Sequence, residues 1–264
     1  FDKHLALMNE FADNQLVTGN KVELLIDGPT TYDSMFAAIE SAKDHINMET
    51  FIIEDDEIGQ HFAQLLISKQ KSGVQVNLLY DSVGSISTPK EFFSKLKDSG
   101  INVLEYNPIN PLNTRKDWQL NQRDHRKLLI VDGLVAFVGG INISSVYSSG
   151  SFGKGIGKKI KTANVIQPWR DTHLRIDGPV VADFQKMFID SWNHQKGECL
   201  TSKNYFPILK NQGNEMVRAI GSTPEEPYSQ IYVTLLSAIN SAETQVLLTN
   251  AYFVQDEKLL SALK

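Results

Sequence analysis

Between residues 22 and 104, short apolar runs alternate with amphipathic stretches, and this alternation restricts the fold more than any other feature of the chain. Val22 to Ile26, Ile46 to Ile53, Val74 to Tyr80 and Ile101 to Leu104 read as strands. Between the first two, Met35, Phe36, Ile39 and Ala42 fall on one helical stripe, with Asp33 or Thr31 available as its cap. A second helix starts near Glu57, carries Phe62, Leu65 and Leu66, and is stopped by Gly73. A third opens at Pro89, carries Phe92, Phe93 and Leu96, and ends at Gly100. Such repetition predicts a layered α/β fold with a central, mostly parallel sheet flanked by helices.

At 264 residues there is room for one large domain or two smaller ones. The formal net charge is −5, so anion recognition has to come from a local cluster rather than a global basic field. Cys199 stands alone, which excludes an intramolecular disulfide and argues against a cysteine-based zinc site. His4, His45, His61 and His194 have no metal-ligand spacing, and no metal or cofactor is expected. No apolar run approaches the ~18 residues needed to cross a bilayer, and no signal-peptide pattern is present. The chain starts at Phe1 rather than Met, which suggests an upstream segment, one that could carry a membrane anchor.

Two stretches interrupt the alternation. Asn107 to Arg123, with Pro108, Pro111 and Trp118, reads as a long loop. Ser148 to Gln167 mixes Gly150, Gly153, Gly155 and Gly157 with Lys154, Lys158, Lys159 and Lys161. A solvated linker is the plain reading, and a basic lid over an anionic substrate the sharper one. There is also an internal repeat. Ile39-Glu-Ser-Ala-Lys43 resembles Ile239-Asn-Ser-Ala-Glu243, 200 residues on. Each follows a helical stretch opened by a tyrosine, Tyr32 or Tyr228, and precedes an apolar strand, Ile46 to Ile53 or Val246 to Val254. Acidic residues close both units, Asp55-Asp56 and Asp256-Glu257.

The chemistry is concentrated in residues 124–142. Leu128 to Val131 and Leu134 to Val138 are apolar runs joined by Asp132-Gly133, a strong hairpin signal. Residues two apart on a strand share a face, so His125 and Lys127 project into one space. Gly139-Gly140 would let a ligand approach bare backbone, and Asn142 offers an amide on the same rim. Displacement at a phosphodiester needs a nucleophile, a proton donor for the leaving oxygen and charge compensation. Imidazole can serve as the nucleophile or the acid, and a lysine ammonium supplies fixed positive charge.

His125-x-Lys127-x4-Asp132-x6-Gly139-Gly140-x-Asn142 resembles the HKD signature of the phospholipase D superfamily at every defining position. Phe51-Ile-Ile-x-x-Asp56-x-x-Gly59 is similar to the strand and acidic turn that open each half of such proteins. Trp169-Arg-Asp171-Thr-His173-Leu-Arg-Ile-Asp177-Gly178-Pro179-Val180 resembles the strand and helix start that follow the motif. The likeness covers roughly residues 20 to 264, and within the superfamily the chain looks most like bacterial cardiolipin synthases. The resemblance implies that His125 is nucleophile or general acid in a transfer through a covalent phosphohistidine. It makes Lys127 and Asn142 phosphate binders, and Asp132 a supporting residue rather than an attacking one. It gives Asp171 the task of orienting the histidine, where a plain surface carboxylate is the alternative. Glu49 alternates inward on the second strand, and a solvated strand-face glutamate is its plainer reading.

Two histidines are needed and one motif is present. The repeat offset would put its partner near residue ~325, beyond Lys264. The expected organisation is a peripheral segment over 1–20, a first phospholipase D-like half over 21–200, and a linker with the start of a truncated second half over 201–264. The missing histidine would come from the rest of the same polypeptide or from a second copy in a homodimer. The reading is a phosphatidyltransferase acting on a phospholipid or other phosphodiester, cytoplasmic or peripheral on the bacterial inner membrane. Its rivals are a phospholipase D hydrolase, a metal-independent nuclease and an inactive half-enzyme; the net charge of −5 argues against the nuclease.

Overall fold

A computed structural model of the chain describes residues 2–108, 122–148, 169–222, 229–250 and 252–264. Trp118 and the Gly/Lys-rich stretch, except Ser148, lie outside them. In chain order the elements are α1 (Asp2–Phe11), β1 (Val17–Leu25), α2 (Gly28–Ser41), β2 (His45–Thr50), α3 (Glu57–Lys71), β3 (Gln75–Asp81), α4 (Lys90–Asp98) and β4 (Asn102–Tyr106). There follow β5 (Leu128–Val131), β6 (Val135–Gly139), β7 (His173–Asp177), α5 (Val181–His194), β8 (Glu215–Val217), α6 (Gln230–Asn240) and α7 (Glu257–Leu263). The chain divides into two compact units, Thr18–Met216 and a second made of Phe1–Val17 with Val217–Lys264.

The sheet runs β4-β3-β2-β5-β6-β7-β1-β8. A layered α/β fold around a central sheet is what the alternation predicted, but the sheet is mixed. β2–β3 and β3–β4 pair in parallel, and helical crossovers link these successive strands. The pairings β2–β5, β5–β6, β6–β7 and β1–β7 are antiparallel. The Asp132-Gly133 turn accounts for the reversal between β5 and β6: both residues have positive φ, 55° and 64°, and Leu134 N donates to Val131 O at 3.0 Å.

The two faces of the sheet have different partners. Ile46, Met48, Val76, Leu78, Leu129, Val131 and Phe137 meet Tyr32, Phe36, Ile39, Phe62, Leu66 and Phe93 in one apolar core. The opposite face carries His45, Asn47, Glu49 and Asn77, all fully buried. His45 Nε2 lies 3.4 Å from Gln185 Oε1 of α5, so this polar face is helix-covered rather than solvated. The cap of α2 is Asp27, whose Oδ1 accepts from Thr30 N at 2.9 Å, which puts Thr31 and Asp33 inside the helix.

The second unit repeats the cap geometry at the same offset. Asp56 Oδ1 accepts from Gly59 N at 3.0 Å, and Asp256 Oδ1 from Leu259 N at 2.8 Å. At an offset of 200, Tyr32 of α2 matches Tyr232 of α6; Tyr228 lies outside the described residues. β2 is buried along its whole length, whereas residues 245–250 are exposed and form no strand. A strand exists only where a neighbour takes up its N–H and C=O groups, and among the described residues none does so there.

Candidate active site

His125 and Lys127 precede β5, at the end of the sheet where β2 and β3 terminate. Their alternation puts both side chains against Phe51, just past β2. The His125 ring lies 4.4 Å from the Phe51 ring, and Lys127 Nζ is 5.2 Å from the Phe51 centroid. Lys127 Nζ donates to His125 O at 2.7 Å and stands 3.2 Å from His125 Nδ1. Lys127 is buried while His125 remains exposed. Burial pulls the Lys127 ammonium down to about 8, against the opposing pull of Asp124, Asp171 and Asp81. Partial burial, followed by the Lys127 charge, lowers the His125 pKa as well. The pair is therefore a cation beside an imidazole biased towards neutrality.

The glycines act through the side chains they make room for. Gly139 pairs with His173 across β6 and β7, and Lys127 stands one residue beyond the Leu128–Val138 pair, level with Gly139. Lys127, Gly139 and His173 thus form a row across three strands. A Cβ on Gly140 would lie 2.3 Å from the Asp171 carboxyl atoms, and Gly140 N is already donated to Thr172 O at 2.9 Å. Both glycines thus give clearance to residues on the β7 side. Asp171 accepts from Thr172 N at 2.7 Å, and no hydrogen bond joins it to His125; its charge raises the Lys127 pKa.

Asn142 and Asp132 hold the frame. Asn142 Nδ2 donates to Tyr147 OH at 3.0 Å and its Oδ1 accepts from Ile52 N at 3.1 Å, which fixes the orientation of the amide. Asp132 sits at the other end of β5, about 16 Å along the strand from Lys127. Its carboxylate accepts from the backbone N–H groups of Lys43, Asp44 and His45 at 2.8, 2.8 and 3.0 Å, fastening the hairpin to the start of β2.

Two residues matter more than their sequence context suggested. Glu49 is 1% exposed, which overturns the solvated reading. His173 is also 1% exposed, and neither ring nitrogen has a hydrogen-bond partner. Burial and then the Lys127 charge push its pKa down to about 3. The two-residue periodicity that paired His125 with Lys127 could have flagged His173 only once the register of β7 on Gly139 was known.

Residues 35–151 match the family model described as "Cardiolipin synthase, PLD-like domain". Those residues form a phospholipase D-like domain. Cardiolipin synthase A of Pseudomonas putida (strain GB-1) is 36% identical over 264 residues, covering 98% of this chain and 51% of that protein. Cardiolipin synthase of Alkalihalophilus pseudofirmus is 33% identical over 261 residues, covering 98% of this chain and 49% of that protein. The chain therefore spans about half the length of these phospholipase D-type relatives. Among solved structures, Nuc from Salmonella typhimurium, a phospholipase D family member, is similar with a TM-score of 0.46 and 18% identity, over 66% of this chain and 95% of that one.

Proposed function

We propose that this chain provides one half of a phosphatidyltransferase site of the cardiolipin synthase kind. The carrying observation is the contact of Lys127 Nζ with His125, 3.2 Å from Nδ1, on the Phe51 wall. A charged lysine there can hold a phosphoryl oxygen while an imidazole works on phosphorus. In the first step a histidine nitrogen bonds to phosphorus, and the bond to the leaving alcohol breaks. A second histidine gives that alcohol its proton. In the second step the acceptor hydroxyl attacks phosphorus, passes its proton back, and the phosphorus–nitrogen bond breaks.

His125 fills one of these two roles. The other histidine lies outside these residues, in the remainder of a longer polypeptide or in a second copy of the chain. The repeated cap at Asp256 and relatives of about twice the length favour the first source. Asp171 tunes the pair, and Asp132 and Asn142 brace it. No helix among the described residues is long and apolar enough to cross a membrane; a phospholipid substrate would then be met at the membrane surface.

The test is to incubate the full polypeptide carrying this sequence with phosphatidylglycerol vesicles. Cardiolipin and glycerol are expected in equal amounts, and His125→Asn should abolish both. Cardiolipin made by His125→Asn would sink the role of His125. Phosphatidic acid alone would make water the acceptor, and cleavage of DNA without lipid turnover would identify a nuclease.

A further inference from the structure

We propose that Glu49 and Asp124 share one proton behind the catalytic strand, and that this acid pair, tied to Arg126 and α5, is the positioning device that holds His125 and Lys127 in place. The inference deepens the reading above and rests on His125 and Lys127 being its working residues.

Alternation carries it. His125 and Lys127 face the site, so Asp124 and Arg126 point to the other side of the same segment, the face covered by α5. Arg126 Nη1 donates to Ser191 Oγ of α5 at 2.6 Å and lies 3.7 Å from Glu49 Oε1. Asp124 Oδ1 accepts from Arg126 N at 3.0 Å, and Asp124 N donates to Asp81 Oδ2 at 3.0 Å. Glu49 and Asp124 are 1% and 6% exposed. As carboxylates neither can donate, and Glu49 Oε1, Glu49 Oε2 and Asp124 Oδ2 are all buried without a hydrogen-bond partner. One proton between the two carboxyls turns that deficit into a bond.

The charged groups around the pair come from several elements. From β3 comes Asp81, with Arg123 at 3.9 Å. The Arg126 guanidinium faces Glu49 of β2, the Asp124 charge acts on the Lys127 ammonium, and α5 adds the Ser191 hydroxyl, with His194 exposed beyond it. Two buried carboxyls with no donor between them repel when both are charged, and one shared proton removes that cost. Burial, followed by the nearby Asp124 charge, raises the Glu49 pKa well above the ordinary range, with Arg126 pulling the other way. Raised in the folded state, Glu49 contributes stability at low pH that is lost as pH climbs through its folded pKa.

Three proteins decide it: wild type, Glu49→Gln and Glu49→Leu. In carboxyl carbon NMR of the chain, Glu49 should show the neutral-acid shift at pH 7. The His125 ring nitrogen shifts of Glu49→Gln should overlay those of wild type, and those of Glu49→Leu should move. With bis(4-nitrophenyl) phosphate and the full polypeptide, Gln should keep kcat within about threefold and Leu should lose at least about tenfold, with KM little changed. The wild-type melting temperature should also fall relative to Glu49→Gln as pH rises. An ionised Glu49 at pH 7, or a Gln variant as damaged as Leu in its His125 spectrum, would overturn the proposal. The NMR arm needs no lipid and no turnover, so failure of the transferase reading would leave it standing or falling alone.

Discussion

Gly139 and His173 are cross-strand partners, and a Cβ added to the glycine would lie 2.6 Å from His173 Cα and 2.8 Å from its Cγ. Both contacts are closer than real Cβ atoms come, so the ring or the strand must give way. Gly139→Ala should therefore displace the imidazole facing Lys127, lower phosphatidyl transfer at least about tenfold and cost about 1–3 kcal/mol of stability. Lipid turnover and a thermal melt check the two effects. A variant with wild-type turnover would show that the row Lys127–Gly139–His173 has no bearing on the reaction.

Lys127 should set an alkaline limit on activity and weaken the fold at neutral pH. The folded protein releases its proton at about 8, whereas the unfolded chain holds it up to about 10.5. The unfolded state thus binds more protons between those values, and stability rises with pH across that window. At pH 7 the buried charge is held at a cost of roughly 3 kcal/mol, partly recovered by its bond to His125 O. Lys127→Met should be inactive yet about 1–3 kcal/mol more stable in urea at pH 7. A less stable variant would contradict this. Wild-type activity should fade above pH 8 as the ammonium is lost.

Asp132 should matter for folding rather than chemistry. Asp132→Ala removes the acceptor of three backbone N–H groups and puts alanine at a φ of 55°. A loss of about 2–4 kcal/mol is expected. Turnover per folded molecule, measured well below the melting temperature, should stay within about threefold of wild type. A hundredfold drop in kcat at full folding would return Asp132 to the reaction.

His173 should make the fold acid-sensitive. Its folded pKa of about 3 lies below the usual 6.5, so the unfolded chain takes up the proton first as pH falls. Stability should drop by up to about 1.4 kcal/mol per pH unit through that window. His173→Gln should flatten this slope in denaturant titrations between pH 6.5 and 4. Parallel slopes for the two proteins would mean that the imidazole is not buried neutral.

Much of the fold was legible in the chain. The apolar runs became β1 to β4, the stripe through Phe36 and Ile39 became α2, and Asp132-Gly133 became a two-residue turn with both φ positive. These are local properties, written in spacing and turn chemistry. The mostly parallel sheet did not follow, because strand order depends on where β5, β6 and β7 insert, and no single stretch encodes that. Among the described residues, the expected strand over 246–254 has no partner to form on. Asp132 and Asn142 kept their places in the motif, yet their bonds run to residues about 90 positions away.

By itself, the sequence determined that His125 and Lys127 share a face, since a strand period of two needs no tertiary information. It also determined that a tight hairpin follows them. Only the tertiary structure decided what stands behind and beside that pair. Glu49 lost its solvent because α5, some 140 residues later, covers its side of the sheet. Gly139 and Gly140 acquired a purpose because β7 brings His173 and Asp171 against them. Burial and cross-strand register come from long-range packing, and a charge or a glycine shows what it does only once its neighbours are in place.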